Sequence, residues 1–269
     1  MNCGNLPKRV TVELTNKCNR TCQSCPRNKM VYPLGDMNLF LFIKILYQLP
    51  NITTIVPFFR GESLGHPLFP LYMDRLKGYR EVQLATNADY LTKQNQEAIL
   101  NNCTFISVSF HDYKLPAQTG LVSFFRDASQ VGVESQISIL DSLLPAEKKQ
   151  QFINAWRSHV GRVRIYQTHS VDGFGDMEDV AFDSAVPCNK PFEEMVVYWN
   201  GRVGLCNHDW NNQVLLGDLN VQKIEDVWKS KPYQQVRRLH LQGKRETVAT
   251  CHHCKFMPRQ VYGEVIVNG

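Results

Sequence analysis

Val10-Thr11-Val12-Glu13-Leu14 runs almost directly into Cys18-Asn19-Arg20-Thr21-Cys22-Gln23-Ser24-Cys25, and the reading of this junction decides the fold. Val10, Val12 and Leu14 alternate with Thr11, Glu13 and Thr15, the period of a strand with one face buried. The cysteines that follow are separated by three and then two residues. Three thiolates in one tight loop can hold three irons of a [4Fe–4S] cube and leave the fourth iron open to a non-protein ligand. A zinc knuckle takes four protein ligands close in sequence and fits this loop less well, and a disulfide fits it less again.

Outward from this loop the chain alternates strand and helix. Leu39, Phe42, Ile43 and Leu46 form an amphipathic helical stripe closed by Pro50, and a second strand spans Ile52 to Phe59. Leu68, Leu71, Tyr72 and Leu76 predict the next helix, Arg80 to Ala85 the third strand, and Thr92 a cap for a helix to about Asn102. Thr104 to Phe110 is strand four, Leu121 to Ala128 a helix, Val133 to Leu140 strand five, Pro145 to Val160 a helix and Arg162 to Gln167 strand six. Six strands alternating with helices on short connections predict an α/β chain, a partial (β/α)6 TIM barrel over 1–167. The aperiodic stretch 168–187 reads as a linker or lid. A smaller C-terminal unit, 188–269, is predicted to hold a β-hairpin around Asn200-Gly201 and a helical segment from Ile224 to about Gly243.

A chain of 269 residues is long enough for a barrel-sized domain with an appendage. It has no run of about 18 apolar residues and no signal peptide in Met1 to Lys8, so a soluble, cytoplasmic protein is expected. Nine cysteines grouped by spacing point to metal ligation rather than a disulfide framework. The net charge of +5 is modest and spread along the chain, so by itself it argues neither for nor against nucleic acid; the expectation is of neither a membrane nor a nucleic-acid partner. A second cysteine set comprises Cys188 before the hairpin, Cys206 at its end, and Cys251-His252-His253-Cys254. Four such thiolates suit zinc or a fully ligated [4Fe–4S] cluster, and spacing leaves both open.

The cysteine loop after strand one resembles the signature of the radical S-adenosylmethionine (SAM) enzymes, and the second set is similar to their twitch module, the shortened form of the SPASM auxiliary-cluster domain. The resemblance, nearest to the aminocyclitol-oxidising branch, is carried by these cysteines, the hairpin with Gly201, Gly217-Asp218-Leu219, Ile224 and Trp228. It implies two [4Fe–4S] clusters, one on Cys18, Cys22 and Cys25 and one on Cys188, Cys206, Cys251 and Cys254. It also implies that SAM chelates the open iron and is cleaved to a 5'-deoxyadenosyl radical, with flavodoxin or ferredoxin as the reductant.

By the same resemblance Gly61 and Glu62 stand where the family has Gly-Gly-Glu, with Arg60 replacing the first glycine, so close approach there is expected to differ. Asn87, in Thr86-Asn87-Ala88, and Ser109 match family SAM contacts at the ends of strands three and four, where barrel sites are built. Ser24 stands where many relatives have an aromatic. For a polyhydroxy substrate, His111, Asp112, His169, Asp172, His208 and Asp209 are candidate hydrogen-bonding partners, with His111, His169 and Asp209 the candidate catalytic residues. Arg237, Arg238, Lys244 and Arg245 offer a basic face for an acidic electron donor, against the commoner reading of a solvated helix face.

The expected reaction is oxidation of a secondary alcohol in a small sugar or aminocyclitol, the auxiliary cluster taking the second electron. Epimerisation would need a hydrogen donor, and neither spare thiol, Cys3 or Cys103, is placed for it. Peptide-modifying relatives often carry a leader-recognition domain, and only about ten residues precede strand one, which favours a small free substrate. The reading from another class is a non-catalytic metal protein binding nucleic acid through its basic helix.

Overall fold

The structure is a computed structural model and describes residues 4–166, 185–252, 254 and 264–267. The first half comprises β1 (Arg9–Val12), α1 (Leu39–Leu46), β2 (Thr54–Val56), α2 (Phe69–Asp74), β3 (Glu81–Thr86), α3 (Lys93–Asn102), β4 (Phe105–Phe110) and α4 (Leu121–Gln130). The second comprises β5 (Glu134–Leu140), α5 (Lys149–Trp156), β6 (Arg162–Tyr166), α6 (Lys190–Glu193), β7 (Glu194–Val197) and β8 (Arg202–Gly204). After these come β9 (Leu215–Asp218), α7 (Ile224–Trp228), α8 (Lys231–Leu241), α9 (Ala249–His252) and β10 (Glu264–Val267). The six strands and intervening helices predicted from the sequence are all present, and no described helix is long and apolar enough to cross a membrane.

The chain packs as two compact units. The first contains 4–66 and the described residues of 169–260. Its strands run β2–β1–β7–β8–β9, with β1 parallel to both β2 and β7 and the remaining pairs antiparallel. The alternation in β1 predicts one wet face, but Thr11, Glu13 and Thr15 are buried along with Val10, Val12 and Leu14. The reason is position: β1 is central, and a central parallel strand is covered on both faces. A buried carboxylate on such a strand requires a partner.

The hairpin turn also departs from expectation. Of its two central residues only Gly201 has positive φ (86°), and Gly201 N–H donates to Tyr198 O at 2.8 Å. A type I' turn needs positive φ at both centres; the observed arrangement is a longer turn closed by a left-handed glycine. The helical segment after Ile224 is two helices, because Pro232 supplies no backbone N–H and opens α8 at its first turn. β9 was not anticipated; its short Leu215–Asp218 run carries a single buried side chain, Leu216.

The second unit contains 67–166 with β10. β3, β4, β5 and β6 are parallel neighbours, and β10 adds antiparallel to β6. Val82, Leu84, Ile106, Val108, Ile137, Ile139, Val163 and Ile165 are buried, and Trp156 of α5 meets Phe110 and Phe125 edge-on at 5.2 and 6.1 Å. The alternate positions are polar: Ser107 and Ser109 of β4, Gln136 and Ser138 of β5, and Arg162 and Arg164 of β6 stand side by side in register. Thr92 caps α3 by accepting from Asn95 N–H, as the sequence predicts.

Candidate active site and cluster centres

Cys18, Cys22 and Cys25 lie on the loop that leaves β1, and all three are partly exposed. Cys25 N–H donates to Cys22 O (3.0 Å), Arg20 N–H to Cys18 Sγ (3.4 Å) and Arg27 Nη2 to Arg20 O (2.7 Å), which folds the loop on itself before a 3-10 turn over Pro26–Lys29. Burial pushes the Cys22 and Cys25 thiols up in pKa, opposed by Arg20 at Cys22 and by the Arg27 amide at Cys25. Thiolates bound to iron gain the charge partner that burial alone denies them.

The turn after β2 is set against this loop. Glu62 N–H donates to Lys17 O at 2.9 Å, one residue before Cys18. A Cβ on Gly61 would lie 2.4 Å from Thr15 O and 2.5 Å from Lys17 O, so only glycine lets the two backbones approach this closely. The Glu62 carboxylate is buried and accepts from Leu64 N–H at 3.1 Å.

Arg60, immediately before Gly61, has its side chain fully buried with that of Glu13. Nε and Nη2 fork onto the two Glu13 oxygens at 2.6 and 2.7 Å, while Nη1 donates to Trp210 O (2.7 Å) and Asn212 Oδ1 (3.2 Å). Tyr198, Tyr32 and Phe59 surround the guanidinium at 4.4, 4.7 and 5.2 Å from their ring centres. Burial works against the Arg60 charge, but the Glu13 bonds outweigh it and raise its pKa.

Cys188, Cys206, Cys251 and Cys254 line one cavity together with Lys190, His208, His240 and Arg245. No three His, Cys, Asp or Glu side chains among the described residues form a ready metal-binding group, so the four thiols share a cavity rather than a finished polyhedron. The donor set still fits a cluster: it is all sulfur, and the buried Lys190 and Arg245 beside it would offset the negative charge of four thiolates. His240 Nε2 is 3.6 Å from Cys251 Sγ, and His208 Nδ1 is 3.8 Å from Cys254 Sγ. Burial, and then Arg245, push the His240 pKa down to about 4. Burial pushes Cys188 up to about 11 and raises Cys206 and Cys251 as well.

The remaining predicted residues are placed as follows. Asp209 is fully buried, and its two oxygens accept from Gln213 N–H (2.8 Å) and Val214 N–H (3.1 Å), so its carboxylate holds the turn after Cys206. His208 is buried in the cavity wall. In the second unit, Asn87 Oδ1 accepts from Asp89 N–H at 2.9 Å and Ala88 has φ of 63°, the left-handed conformation that glycine takes most readily. Ser109 Oγ is 3.1 Å from Ser138 Oγ, and His111 is half-buried at the end of β4. Asp112 is exposed and paired with Lys114 at 3.3 Å. His169, Asp172, Cys3 and His253 lie outside the described residues.

Sequence reasoning missed three features. Glu13 and Arg60 carried no visible signal beyond the motif departure at position 60. Lys190 stands two residues after Cys188, but nothing in the sequence ties His240 or Arg245 to the cysteines. The Ser107–Gln136–Ser138 stripe was legible as polar alternation inside otherwise apolar strands. The proposed basic face is reduced to Arg238 and Lys244, which are exposed: Arg237 is buried on Trp228 and Tyr233 and donates to Pro191 O and Trp228 O, and Arg245 is buried in the cavity wall. The rings and carbonyls around Arg237, invisible in a charge count, hold that cation inside.

Residues 188–255 match the SPASM iron-sulfur cluster-binding domain. The chain is 23% identical over 259 residues to the S-adenosyl-L-methionine-dependent 2-deoxy-scyllo-inosamine dehydrogenase of Niallia circulans, covering 91% of each chain. The crystal structure of BtrN in complex with AdoMet and 2-DOIA matches with a TM-score of 0.69 and 20% identity, over 99% of this chain and 100% of that one. Streptococcus suis SuiB bound to precursor peptide SuiA matches with a TM-score of 0.67 and 13% identity, over 87% of this chain and 67% of that one. Together these likenesses show an α/β fold shared with BtrN and SuiB over most of the chain, and an iron–sulfur cluster-binding domain over 188–255.

Proposed function

We propose that this chain oxidises a secondary alcohol of a small polyhydroxy substrate, a sugar or aminocyclitol, to a ketone. When bound, SAM and the clusters supply hydrogen-atom abstraction and a one-electron acceptor. The substrate carbinol carbon gives up a hydrogen atom, its hydroxyl gives up a proton, and one electron leaves, so that a C–H and an O–H bond are replaced by a C=O double bond.

Cys18, Cys22 and Cys25 would hold the first cluster, with Gly61, Glu62, Asn87 and Ser109 the residues for SAM. Cys188, Cys206, Cys251 and Cys254 would hold the second. The observation that carries the reading is the convergence of these last four thiols on one cavity. Four protein thiolates would supply all the ligands a [4Fe–4S] cluster needs, and a cluster held in this way would supply electron acceptance. Of the candidate catalytic residues, His111 is half-buried at a strand end, whereas the Asp209 carboxylate is committed to backbone amides. His111 and His169 are therefore the first candidates for the hydroxyl proton. We assign 1–167 to SAM chemistry and 188–269 to the auxiliary cluster, with a flavodoxin or ferredoxin as electron donor.

The test is anaerobic reconstitution, iron and sulfide counting, and assay of 5'-deoxyadenosine with a panel of aminocyclitols and sugars. A product lighter by two hydrogens supports the dehydrogenase. Deuterium gained at carbon in heavy water would select an epimerase instead, and zinc in the second site would remove the electron acceptor.

A further inference from the structure

We propose that Arg60 is a positioning residue: its buried fork to Glu13 and its bonds to Trp210 and Asn212 hold the Gly61–Glu62 turn in fixed register with the loop that follows Cys206. This deepens the function proposed above, because it rests on reading Glu62 as a SAM residue and Cys206 as a cluster ligand.

The geometry is closed on both sides of Arg60. On one side, Gly61 and Glu62 lie against Thr15 and Lys17, and Glu13 belongs to the same stretch of chain. The fork therefore fastens the turn to the segment that enters the first cysteine loop. On the other side, Nη1 reaches Trp210 O and Asn212 Oδ1. The loop it reaches is itself held: Asp209 binds the amides of Gln213 and Val214, Tyr198 Oη donates to Asp209 O at 3.0 Å, and Asn212 takes a positive φ of 54°. Trp199 N–H donates to Glu13 Oε2 at 3.2 Å, so the hairpin joins the same network.

Only arginine satisfies this arrangement. Its planar guanidinium directs three nitrogens in fixed directions, whereas lysine offers one compact ammonium that cannot span the carboxylate and the far carbonyl together. The three aromatic rings exclude water, so any bond lost is not replaced by solvent.

The test uses Arg60→Lys, Glu13→Gln and the neutral pair Glu13→Gln with Arg60→Met in the full chain. Amide hydrogen exchange is read on cluster-free protein, and the KM for SAM, kcat and the auxiliary-cluster EPR spectrum on reconstituted protein. Arg60→Lys is expected to speed exchange at Glu62, Trp199, Gln213 and Val214 together by about tenfold or more. The amides of β4 and β5 stay at the wild-type rate. The KM for SAM rises by a similar factor, with an altered auxiliary EPR signal. The neutral pair removes the buried charges, so it recovers the melting temperature while exchange and KM stay perturbed. The proposal is overturned if the neutral pair restores all of these, or if exchange accelerates uniformly. It is also overturned if Glu62 and Gln213 respond separately. Should wild-type protein fail to cleave SAM, the functional reading falls, and the exchange data still decide the role of Arg60.

Discussion

Gly35 lies directly beneath the indole of Trp199, so close that a Cβ on Gly35 would sit 2.4 Å from the Trp199 Cη2. Gly35 N–H donates to Asn16 Oδ1 at 2.8 Å, and Trp199 Nε1 donates to Pro33 O at 3.2 Å. The segment that closes the first cysteine loop is thus pressed against the hairpin of the auxiliary domain. Gly35→Ala would push the ring off Pro33 and cost about 1–3 kcal/mol as an overpacking change. Thermal melting of the cluster-free protein, followed by tryptophan fluorescence, reads this directly. Adding Trp199→Leu to Gly35→Ala should recover part of the loss.

Gly61→Ala meets backbone rather than a side chain. Its Cβ would fall on Thr15 O and Lys17 O, neither of which can rotate away, so the turn must lift and carry Glu62 with it. Displacing Glu62, the residue proposed for SAM, should lower kcat/KM for SAM by about a hundredfold. Iron retained at the auxiliary site, measured in the same preparation, separates this from general unfolding.

How much of this was legible in the sequence follows from what sets each feature. The strands and helices were readable because apolar periodicity and caps such as Thr92 are local. The Cys18–Cys25 loop and the Cys251–Cys254 pair stand out in the sequence because their spacing is local too. The burial of Glu13 was not, because it depends on β7 pairing with β1 from nearly two hundred residues away. The burial of Arg237 and Arg245 is hidden for the same reason: a charge in a sequence looks solvated until the rings and carbonyls that receive Arg237, and the cavity that Arg245 lines, are known. Asp209 reads from the sequence as a hydrogen-bonding partner for a polyhydroxy substrate, and only the fold shows its oxygens accepting from two amides.

Asp209→Asn tests that last point. The amide group would place an N–H opposite a backbone N–H in a buried turn, an unsatisfied contact worth about 1–3 kcal/mol. The expected outcome is a lower melting temperature and a less well retained auxiliary cluster, with the pH profile of kcat unchanged. A profile that loses its acidic limb in this variant would return Asp209 to the chemistry.

Asp36 contributes a pH dependence to the loop closure. Burial would raise its pKa, but Lys17 and Thr15, whose Nζ and Oγ1 donate at 2.5 and 2.7 Å, outweigh it and hold the carboxyl below its ordinary value. The folded state then binds fewer protons than the unfolded state between those two pKa values. Stability from Asp36 is therefore complete above the ordinary aspartate range and is lost as pH falls through the lowered pKa. Urea midpoints of cluster-free protein should fall on acidification through that window, and Asp36→Asn should flatten the slope.

The two cysteine sets make the sharpest contrast. Cys22 belongs to the partly exposed three-thiol loop, and Cys251 to the buried four-thiol cavity. Cys22→Ala removes one of the three thiols proposed to hold the first cluster, so it should abolish 5'-deoxyadenosine formation and leave about four irons at the other site. Cys251→Ala leaves the first loop intact, so 5'-deoxyadenosine should still form while ketone formation stops for want of an acceptor. Substrate with deuterium at the reacting carbon makes the distinction exact in number, because label should still reach 5'-deoxyadenosine in Cys251→Ala although no ketone accumulates. If Cys251→Ala makes ketone at the wild-type rate, the auxiliary cluster is not the electron acceptor, and its buried thiols hold the fold alone.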